Sequence, residues 1–234
     1  MMEKILTYMF FTIDIMKLII FDFDGTLGDT RRNIIMTMQQ TMEEQGLEVK
    51  DEASCASTIG LPLEGCFRQL YPELADRDIQ ACAATYRRIF DINKKRLSPQ
   101  LFPHVAETLR WLREQGLTLT VASSRSSASL HEFLEDMAID GYISYVLGAD
   151  NVEHAKPHPE PVLKTLEALG MTADETLVVG DMPVDIMMGA GAGAATCGVT
   201  YGNASREELE QAHADYIIDD ISDIKTILED IITR

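Results

Sequence analysis

Cysteine, basic residues and long apolar segments are all scarce in this sequence, and each scarcity excludes a class of protein. Four cysteines among 234 residues, widely spaced and without a CxxC pair, indicate reduced thiols rather than a disulfide framework. Lysine and arginine together number 20 against 38 aspartates and glutamates, which gives a formal net charge of −18. Such a charge disfavours binding to nucleic acid or to a membrane surface, so we expect neither as a partner.

No apolar segment of the sequence is long enough to span a bilayer. The run from Ile5 to Phe11 is short, is flanked by Glu3 and Asp14, and lacks a small-residue cleavage site, so it is not a secretion signal. We therefore expect a cytoplasmic protein in which residues 1–15 form an N-terminal extension to the folded core.

From residue 98 onward, the chain alternates short apolar runs with amphipathic segments. The predicted strands are 117–122, 142–147, 176–179, 195–200 and 216–218, and the predicted helices are 105–115, 127–137, 159–169, 184–192, 206–212 and 221–232. Strands rich in valine, isoleucine and leucine that alternate with helices predict an α/β fold with a Rossmann-like parallel sheet. Because the ligands of such sheets bind beyond the carboxyl ends of the strands, the residues that follow each strand are the candidates for chemistry.

Residues 30–97 break this alternation and are predicted to be almost wholly helical. Two apolar stripes at helical spacing run through Ile34, Met38 and Met42 and through Ile79, Ala83, Tyr86 and Phe90. Such stripes indicate the core of a small helical bundle. The sequence therefore predicts a core domain of residues 16–29 and 98–234, with a helical cap domain of residues 30–97 inserted into it. The two crossings between the domains would let the cap close over a site.

Two carboxylates stand directly after the apolar run 18–21, which is the first predicted strand. Burying ionised carboxylates is costly unless a cation or hydrogen-bond donors compensate them, so Asp22 and Asp24 imply a metal, a proton-transfer role, or both. The two-residue period of a strand places both side chains on one side. Gly25 permits a sharp turn after them, and Thr26 brings a hydroxyl within reach.

A pair of hydroxyl side chains, Ser123 and Ser124, follows the predicted strand 117–122. A hydroxyl and successive backbone N–H groups at a helix start can bind phosphate oxygens. The same residues also serve as ordinary helix caps, and the segment alone leaves both interpretations open.

Lys156 lies in a segment that is unusually rich in proline, residues 156–161. Proline fixes the loop and starts the next helix, so the lysine would be held in place at little entropic cost. His154 and His158 lie nearby, but no cysteine or histidine cluster accompanies them. We therefore interpret the two histidines as surface residues rather than metal ligands.

An acidic pair follows the predicted strand 176–179. Asp181 and Asp185 are four residues apart. At the start of a helix, this spacing puts both side chains on the same side. An acidic residue at the position of Asp185 is favoured by the positive end of the helix dipole even without a functional role. The dipole gives no such reason for Asp181. The glycines that follow lie inside a helix, which disfavours a dinucleotide-binding loop.

In chain order, these four segments resemble the four motifs of the haloacid dehalogenase superfamily of phosphohydrolases. The matching residues are Asp22-x-Asp24-Gly25-Thr26, then Ser123, then Lys156-Pro157-x-Pro159, then Gly180-Asp181-x-x-x-Asp185. Every segment lies at or just after the end of a predicted strand, and the resemblance covers residues 17–232. It implies a haloacid dehalogenase-like core with the helical cap inserted after the first motif.

The resemblance also implies a role for each matching residue. Asp22 would attack phosphorus to form an aspartyl-phosphate, and Asp24 would protonate the leaving oxygen and then deprotonate water. The implied ligands of Mg²⁺ are Asp22, the backbone carbonyl of Asp24, Asp181 and Asp185. The implied phosphate-binding residues are Thr26, Ser123, Ser124 and Lys156.

Features that distinguish members of this superfamily favour hydrolysis. Asp24 argues against dehalogenases, which lack this residue and use no magnesium, and Gly180 stands where beta-phosphoglucomutases typically have glutamate. No lysine of the cap is marked for the imine chemistry of phosphonate hydrolases. The segment 58–64 resembles the cap loop of phosphoglycolate phosphatases and related pyrophosphatases. We therefore predict a magnesium-dependent phosphatase that hydrolyses a small, phosphoglycolate-like phosphate monoester.

Alternatives remain within the superfamily: an inorganic pyrophosphatase, a sugar-phosphate phosphatase or mutase, or a catalytically silent sensor of a phosphorylated ligand. A response-regulator receiver domain also gathers aspartates, a hydroxyl and a lysine on a parallel sheet, but it is much shorter and has no helical insertion. The expected partner is a small phosphorylated metabolite, and the expected assembly is a monomer or a homodimer.

Overall fold

The structure of the chain, a computed structural model, describes residues 16–97 and 99–233. The N-terminal extension expected at residues 1–15 therefore lies outside the described residues. Within the described ranges, no helix combines the length and the apolar character that a membrane crossing requires.

A sheet of six parallel strands lies at the centre of the described chain. The described residues form eight strands, of which β2 and β3 make a separate pair: β1 Leu18–Phe21, β2 Gly28–Asp29, β3 Gln100–Leu101, β4 Thr118–Ala122, β5 Tyr145–Leu147, β6 Thr176–Gly180, β7 Ala195–Val199 and β8 Tyr216–Ile218. The order in the sheet is β5-β4-β1-β6-β7-β8, so β1 is hydrogen-bonded to β4 on one side and to β6 on the other. Every residue of β1 is buried, and the turn after β1 opens at the middle of the carboxyl edge of the sheet.

Helices cover both faces of this sheet. The helices of the described residues are α1 Arg31–Glu44, α2 Glu52–Ala56, α3 Leu63–Leu70, α4 Asp76–Leu97, α5 Val105–Glu114, α6 Ser127–Asp136, α7 Glu160–Leu169, α8 Pro183–Gly191, α9 Arg206–Gln211 and α10 Ile224–Thr233, and those from α5 onward belong to the layers around the sheet. Ile19 and Phe21 pack in one apolar core with α5 and α10, whereas Leu18 and Ile20 pack in another with α7 and α8. Side chains that alternate between two cores are what a doubly covered parallel sheet requires, and the predicted α/β fold is confirmed.

Helices α1 to α4 lie between β2 and β3 and have an apolar core of their own. This core includes the buried side chains of Met38, Met42, Phe67, Ile79 and Cys82. The short strands β2 and β3 pair antiparallel and connect the helical segment to the rest of the chain. The helical content agrees with the sequence pattern, while the division into a core of 16–29 and 98–234 and a cap of 30–97 stays a prediction.

The strand expected at 142–147 is shorter in the structure and begins at Tyr145. Asp140–Tyr142 forms a 3-10 turn instead. The N–H groups of Tyr142 and Ile143 donate within this turn, at 3.0 and 3.1 Å, and are therefore not available to β4. The other strands for which bounds were predicted, and the helices predicted between residues 105 and 212, agree with the sequence-based bounds to within one residue at each end. The last helix, predicted at 221–232, begins only at Ile224, because Ile221–Asp223 forms a 3-10 turn.

Candidate active site

The first catalytic candidates lie in the turn after β1. Asp22 and Asp24 both border a cavity of about 710 Å³ between the strand ends and the cap helices. The N–H of Asp22 donates to the carbonyl of Val179 at 2.8 Å, which extends the pairing of β1 with β6 by one residue. Gly25 then turns the chain with a φ of 90°, a conformation that favours glycine.

Space as well as backbone conformation requires glycine in this turn. A Cβ atom at Gly25 would lie 2.1 Å from Oδ2 of Asp181. A Cβ atom at Gly28 would lie 3.0 Å from the ring of Phe23, which explains the absence of a larger side chain there. The turn is therefore packed directly against the carboxylate that follows β6.

Replacing Gly25 by alanine should lower both stability and activity, because the new methyl group displaces the Asp181 carboxylate. Gly46→Ala is the matched control, since Gly46 has a φ of 67° and no atom within 4 Å of an added Cβ. Positive φ alone should cost the control about 1 to 2 kcal/mol in the free energy of unfolding by urea. Overpacking should cost Gly25→Ala about 1 to 3 kcal/mol more. Equal losses in the two variants would contradict the close packing.

Three carboxylates and one lysine form the buried centre of the site. Asp22, Asp181 and Asp185 offer oxygens that lie within 4.8 Å of one another, and all three residues are buried. Nζ of Lys156 donates to Oδ1 of Asp22 and to Oδ1 of Asp185, both at 2.6 Å. The lysine side chain is only 2% exposed, so water screens these ion pairs very little. Lys156 balances part of the negative charge of the centre.

Burial and like charge shift the pKa values in this centre. Burial raises the pKa of Asp22 to about 7 against the opposing charge of Lys156, and the charge of Asp185 adds to the rise. Burial also raises the pKa of Asp181 well above its usual value, with Asp22 and Asp185 contributing. For Lys156, burial would lower the pKa, but the two carboxylates that it binds outweigh this and raise it. The carboxylates are short of positive charge, which a divalent cation would supply.

Asp181 is the residue best placed to hold such a cation. Its Oδ2 accepts the backbone N–H of Asn203 at 2.7 Å and the side-chain amide of Asn203 at 2.8 Å. Its Oδ1 is buried and has no hydrogen-bond partner among the described residues. An unpaired carboxylate oxygen beside two other carboxylates fits the oxygen ligands that Mg²⁺ prefers. The residues present therefore fit a divalent metal held by Asp22, Asp181 and Asp185.

The loop after β7 contributes residues that the sequence motifs do not indicate. Besides binding Asp181, Asn203 accepts a hydrogen bond from Nη1 of Arg31 at 2.9 Å, and Arg31 begins α1. The hydroxyl of Tyr201 donates to the carbonyl of Thr26 at 2.9 Å. The one signal in the sequence that could have indicated Tyr201 and Asn203 is their position just after a parallel strand, at the carboxyl edge of the sheet.

A bidentate ion pair holds Asp24. Nε of Arg125 donates to Oδ2 of Asp24 at 2.6 Å, and Nη2 donates to Oδ1 at 2.7 Å. The hydroxyl of Thr30 also donates to Oδ1, at 2.5 Å. The guanidinium lies 4.7 Å from the ring centres of Phe90, in α4, and of Phe133, in α6. These contacts connect Asp24 to the loop after β4 and to the cap helices.

The predicted phosphate-binding hydroxyls differ in what they contact. Thr26 and Ser123 are buried at the strand ends, and the Thr26 hydroxyl has no hydrogen-bond partner in the described part of the chain. Oγ of Ser123 accepts the N–H of Arg125 at 3.3 Å. Ser124 donates to the carbonyl of Gly60 at 2.6 Å, which ties the end of β4 to the cap loop. The phosphate-binding roles of these residues stay a prediction.

A second group of potential ligand residues lies at the surface. His154, His158 and Glu160 bring ligand atoms within 4.8 Å of one another, and both histidines are exposed. The carboxylate of Glu160 already accepts the N–H groups of Glu153 and His154, and Lys164 lies 3.1 Å from it. These hydrogen bonds leave the cluster less suited to a hard cation than the buried centre is.

Comparison with known proteins places this geometry in a family. The sequence profile described as haloacid dehalogenase-like hydrolase matches residues 19–199. The chain is similar to "Probable phosphatase IndB" of Dickeya dadantii (strain 3937), 37% identical over 88% of this chain and 91% of the relative. It is also similar to "Pyrophosphatase PpaX" of Oceanobacillus iheyensis, 36% identical over 92% of this chain and 97% of the relative. A crystal structure of a "predicted phosphoglycolate phosphatase" from Haemophilus somnus 129pt is 28% identical, with a TM-score of 0.77 over 91% of this chain and 97% of that one.

Proposed function

Because the chain belongs to the haloacid dehalogenase-like hydrolases and is a phosphatase of that family, we propose that it hydrolyses a small phosphate monoester through an aspartyl-phosphate on Asp22, with Mg²⁺ as its metal. The observation that carries this proposal is the buried centre below the cavity. There Asp22 contacts Lys156, and the unpaired Oδ1 of Asp181 lies among carboxylates that need a cation.

Asp22 acts as the nucleophile. Its carboxylate attacks phosphorus, the bond from phosphorus to the leaving oxygen breaks, and an aspartyl-phosphate forms. Lys156 lies 2.6 Å from Oδ1 of Asp22, where it orients the carboxylate and balances charge that the phosphate brings. Both side chains are buried, so their electrostatic interactions are stronger than they would be in water.

Asp24 acts first as an acid and then as a base. In its protonated form, Asp24 gives a proton to the leaving oxygen as the first bond breaks. In the second step it takes a proton from the water that attacks the aspartyl-phosphate, which releases phosphate and restores Asp22. To reach the reacting atoms, Asp24 has to give up at least one of its hydrogen bonds to Arg125 and Thr30.

The metal site and the phosphate site share the turn after β1 and otherwise use residues from different loops. Mg²⁺, when bound, would neutralise charge between the nucleophile and the phosphate. Its ligands would be Asp22, the backbone carbonyl of Asp24 and Asp181, with Asp185 in support. Asn203 orients Asp181 through two hydrogen bonds. The phosphate oxygens are bound by Thr26, Ser123, Ser124 and Lys156.

A phosphoglycolate-like monoester is the proposed substrate, and inorganic pyrophosphate is the second candidate. The resemblance of the cap loop at 58–64 and the similar structure described as that of a "predicted phosphoglycolate phosphatase" support the first. The 36% identical relative named as a pyrophosphatase supports the second. Comparing kcat/KM over a panel of phosphate monoesters and pyrophosphate separates them. A value for pyrophosphate above that of every monoester would replace the first proposal by the second.

Removing metal with EDTA should abolish phosphate release from p-nitrophenyl phosphate, and added Mg²⁺ should restore it. Asp181→Asn should need at least about tenfold more Mg²⁺ for half-maximal activity, because it removes the charge of the proposed ligand. Glu160→Gln is the matched control, since it removes a carboxylate from the surface cluster and should leave the Mg²⁺ requirement unchanged. Turnover without metal, or an equal shift in the control, would overturn the metal proposal.

A further inference from the structure

Both carboxylate oxygens of Asp24 are already occupied. Arg125 donates to each of them, at 2.6 and 2.7 Å, and the Thr30 hydroxyl donates to one. The proposed mechanism requires Asp24 to contact the leaving oxygen of the substrate. A group that competes for the guanidinium would therefore free Asp24 to do so.

The guanidinium of Arg125 is held in a position from which it can bind an oxyanion in the cavity. Its side chain is 11% exposed and borders the cavity, and the rings of Phe90 and Phe133 lie on it at 4.7 Å. The planar fork of a guanidinium matches a carboxylate or a phosphoryl group through two parallel hydrogen bonds. The backbone N–H of Arg125 donates to Oγ of Ser123 at 3.3 Å, so the residue adjoins the proposed phosphate site.

Other cations that border the cavity are paired with carboxylates outside the proposed catalytic centre. Arg87 donates to Glu64 at 2.8 Å, and Lys94 donates to Glu132 at 2.7 Å. An anion that replaced either carboxylate would change nothing at Asp24. Arg125 is distinguished by its partner, because that partner is the proposed acid and base.

We propose that Arg125 binds a second anionic group of the substrate, a carboxylate or a phosphoryl group carried on the leaving side. The substrate anion takes the guanidinium fork from Asp24, and the released side chain is free to turn toward the leaving oxygen and, in its protonated form, to donate to it. The substrate class is then a phosphate ester or anhydride whose leaving group has an anion close to the bridging oxygen. This inference rests on the proposed function, since it assigns the leaving side of the same site.

The test compares two monoesters of similar size, phosphoglycolate and 2-hydroxyethyl phosphate, which differ in a carboxylate. Wild-type kcat/KM should favour phosphoglycolate by about 10- to 100-fold, the range of hydrogen bonds to a charged group. Arg125→Gln should reduce this preference to within about threefold, and Arg125→Lys should keep an intermediate preference because it lacks the fork. Each preference is the ratio of two kcat/KM values measured on one preparation. A fraction of unfolded enzyme lowers both values equally and therefore does not change the ratio.

Arg87→Gln is the matched control, because it removes another guanidinium from the same cavity and should keep the preference. The inference is overturned if the wild type shows no preference, if Arg125→Gln retains it, or if Arg87→Gln loses it equally. Pyrophosphate, tested in parallel, distinguishes a subsite for carboxylates from one that also takes a phosphoryl group. Turnover of p-nitrophenyl phosphate that depends on Asp22 reports on the proposed function separately, whatever the outcome at Arg125.

Discussion

The Asp22→Asn variant should lose at least about a thousandfold in kcat for phosphate release, because an amide cannot form the aspartyl-phosphate. In EDTA the same variant should be at least as stable as the wild type. The substitution removes one of three crowded buried carboxylates, and Lys156 keeps its bond to Asp185 at 2.6 Å. Phosphate release and unfolding in urea measure the two effects. Lost activity with undiminished stability is expected of a residue that takes part in the reaction rather than of a structural residue.

Asp29→Asn is the matched control, since Asp29 is an exposed aspartate on the neighbouring strand β2. It should match the wild type both in kcat and in the free energy of unfolding. If Asp22→Asn kept more than about a tenth of the wild-type kcat, the nucleophile would have to be a different group. A large loss of stability in Asp22→Asn would instead assign the residue a structural role.

Lys156→Met should lower the free energy of unfolding in EDTA by about 3 to 5 kcal/mol, the cost of leaving buried carboxylates without their cation. Lys156 is the shared partner of Asp22 and Asp185 and is almost fully buried. Added Mg²⁺ should restore part of this loss, because the metal compensates the same charges. Activity should fall as well, since the nucleophile loses its orienting donor. Unfolding in urea, with EDTA and with Mg²⁺, measures the effect.

Lys164→Met provides the comparison for an exposed lysine. Lys164 lies 3.1 Å from Glu160, donates to the carbonyl of Asn151 at 2.8 Å and has a side chain that is 42% exposed, so its loss should change the free energy of unfolding far less. Losses of similar size in the two variants would mean that the carboxylates around Lys156 are compensated by other groups. A loss in Lys156→Met that Mg²⁺ does not reduce would argue against a metal at this centre.

The buried centre could be predicted in large part because of where its residues stand in the chain. Asp22, Lys156, Asp181 and Asp185 all belong to segments at or after the ends of strands, and parallel strands end at one edge of the sheet. Their convergence therefore follows from topology, without knowledge of side-chain conformation. The order of the motifs and the length of the helical insertion point to the same fold.

The contacts of Arg125, Ser124 and Asn203 could not be predicted in the same way. Arg125 and Asp24 are 101 residues apart in sequence, and their bond depends on the rotamers of both side chains. Ser124 meets the Gly60 carbonyl only because of how the cap helices sit over the strand ends. Periodicity and spacing describe single elements, whereas these bonds depend on the packing of distant elements against each other.

The pairing of β2 with β3 has a consequence for how the insertion could change in size. Gly28 lies opposite Leu101 and Asp29 opposite Gln100, so the two ends of the insertion are fixed at neighbouring points. The entropic cost of closing such a loop rises only with the logarithm of its length, by about 0.6 kcal/mol for each doubling. A longer or shorter bundle could therefore replace helices α1 to α4 at little thermodynamic cost to the sheet. A different helical insertion could thus change the substrate specificity while the catalytic residues at the strand ends stayed the same.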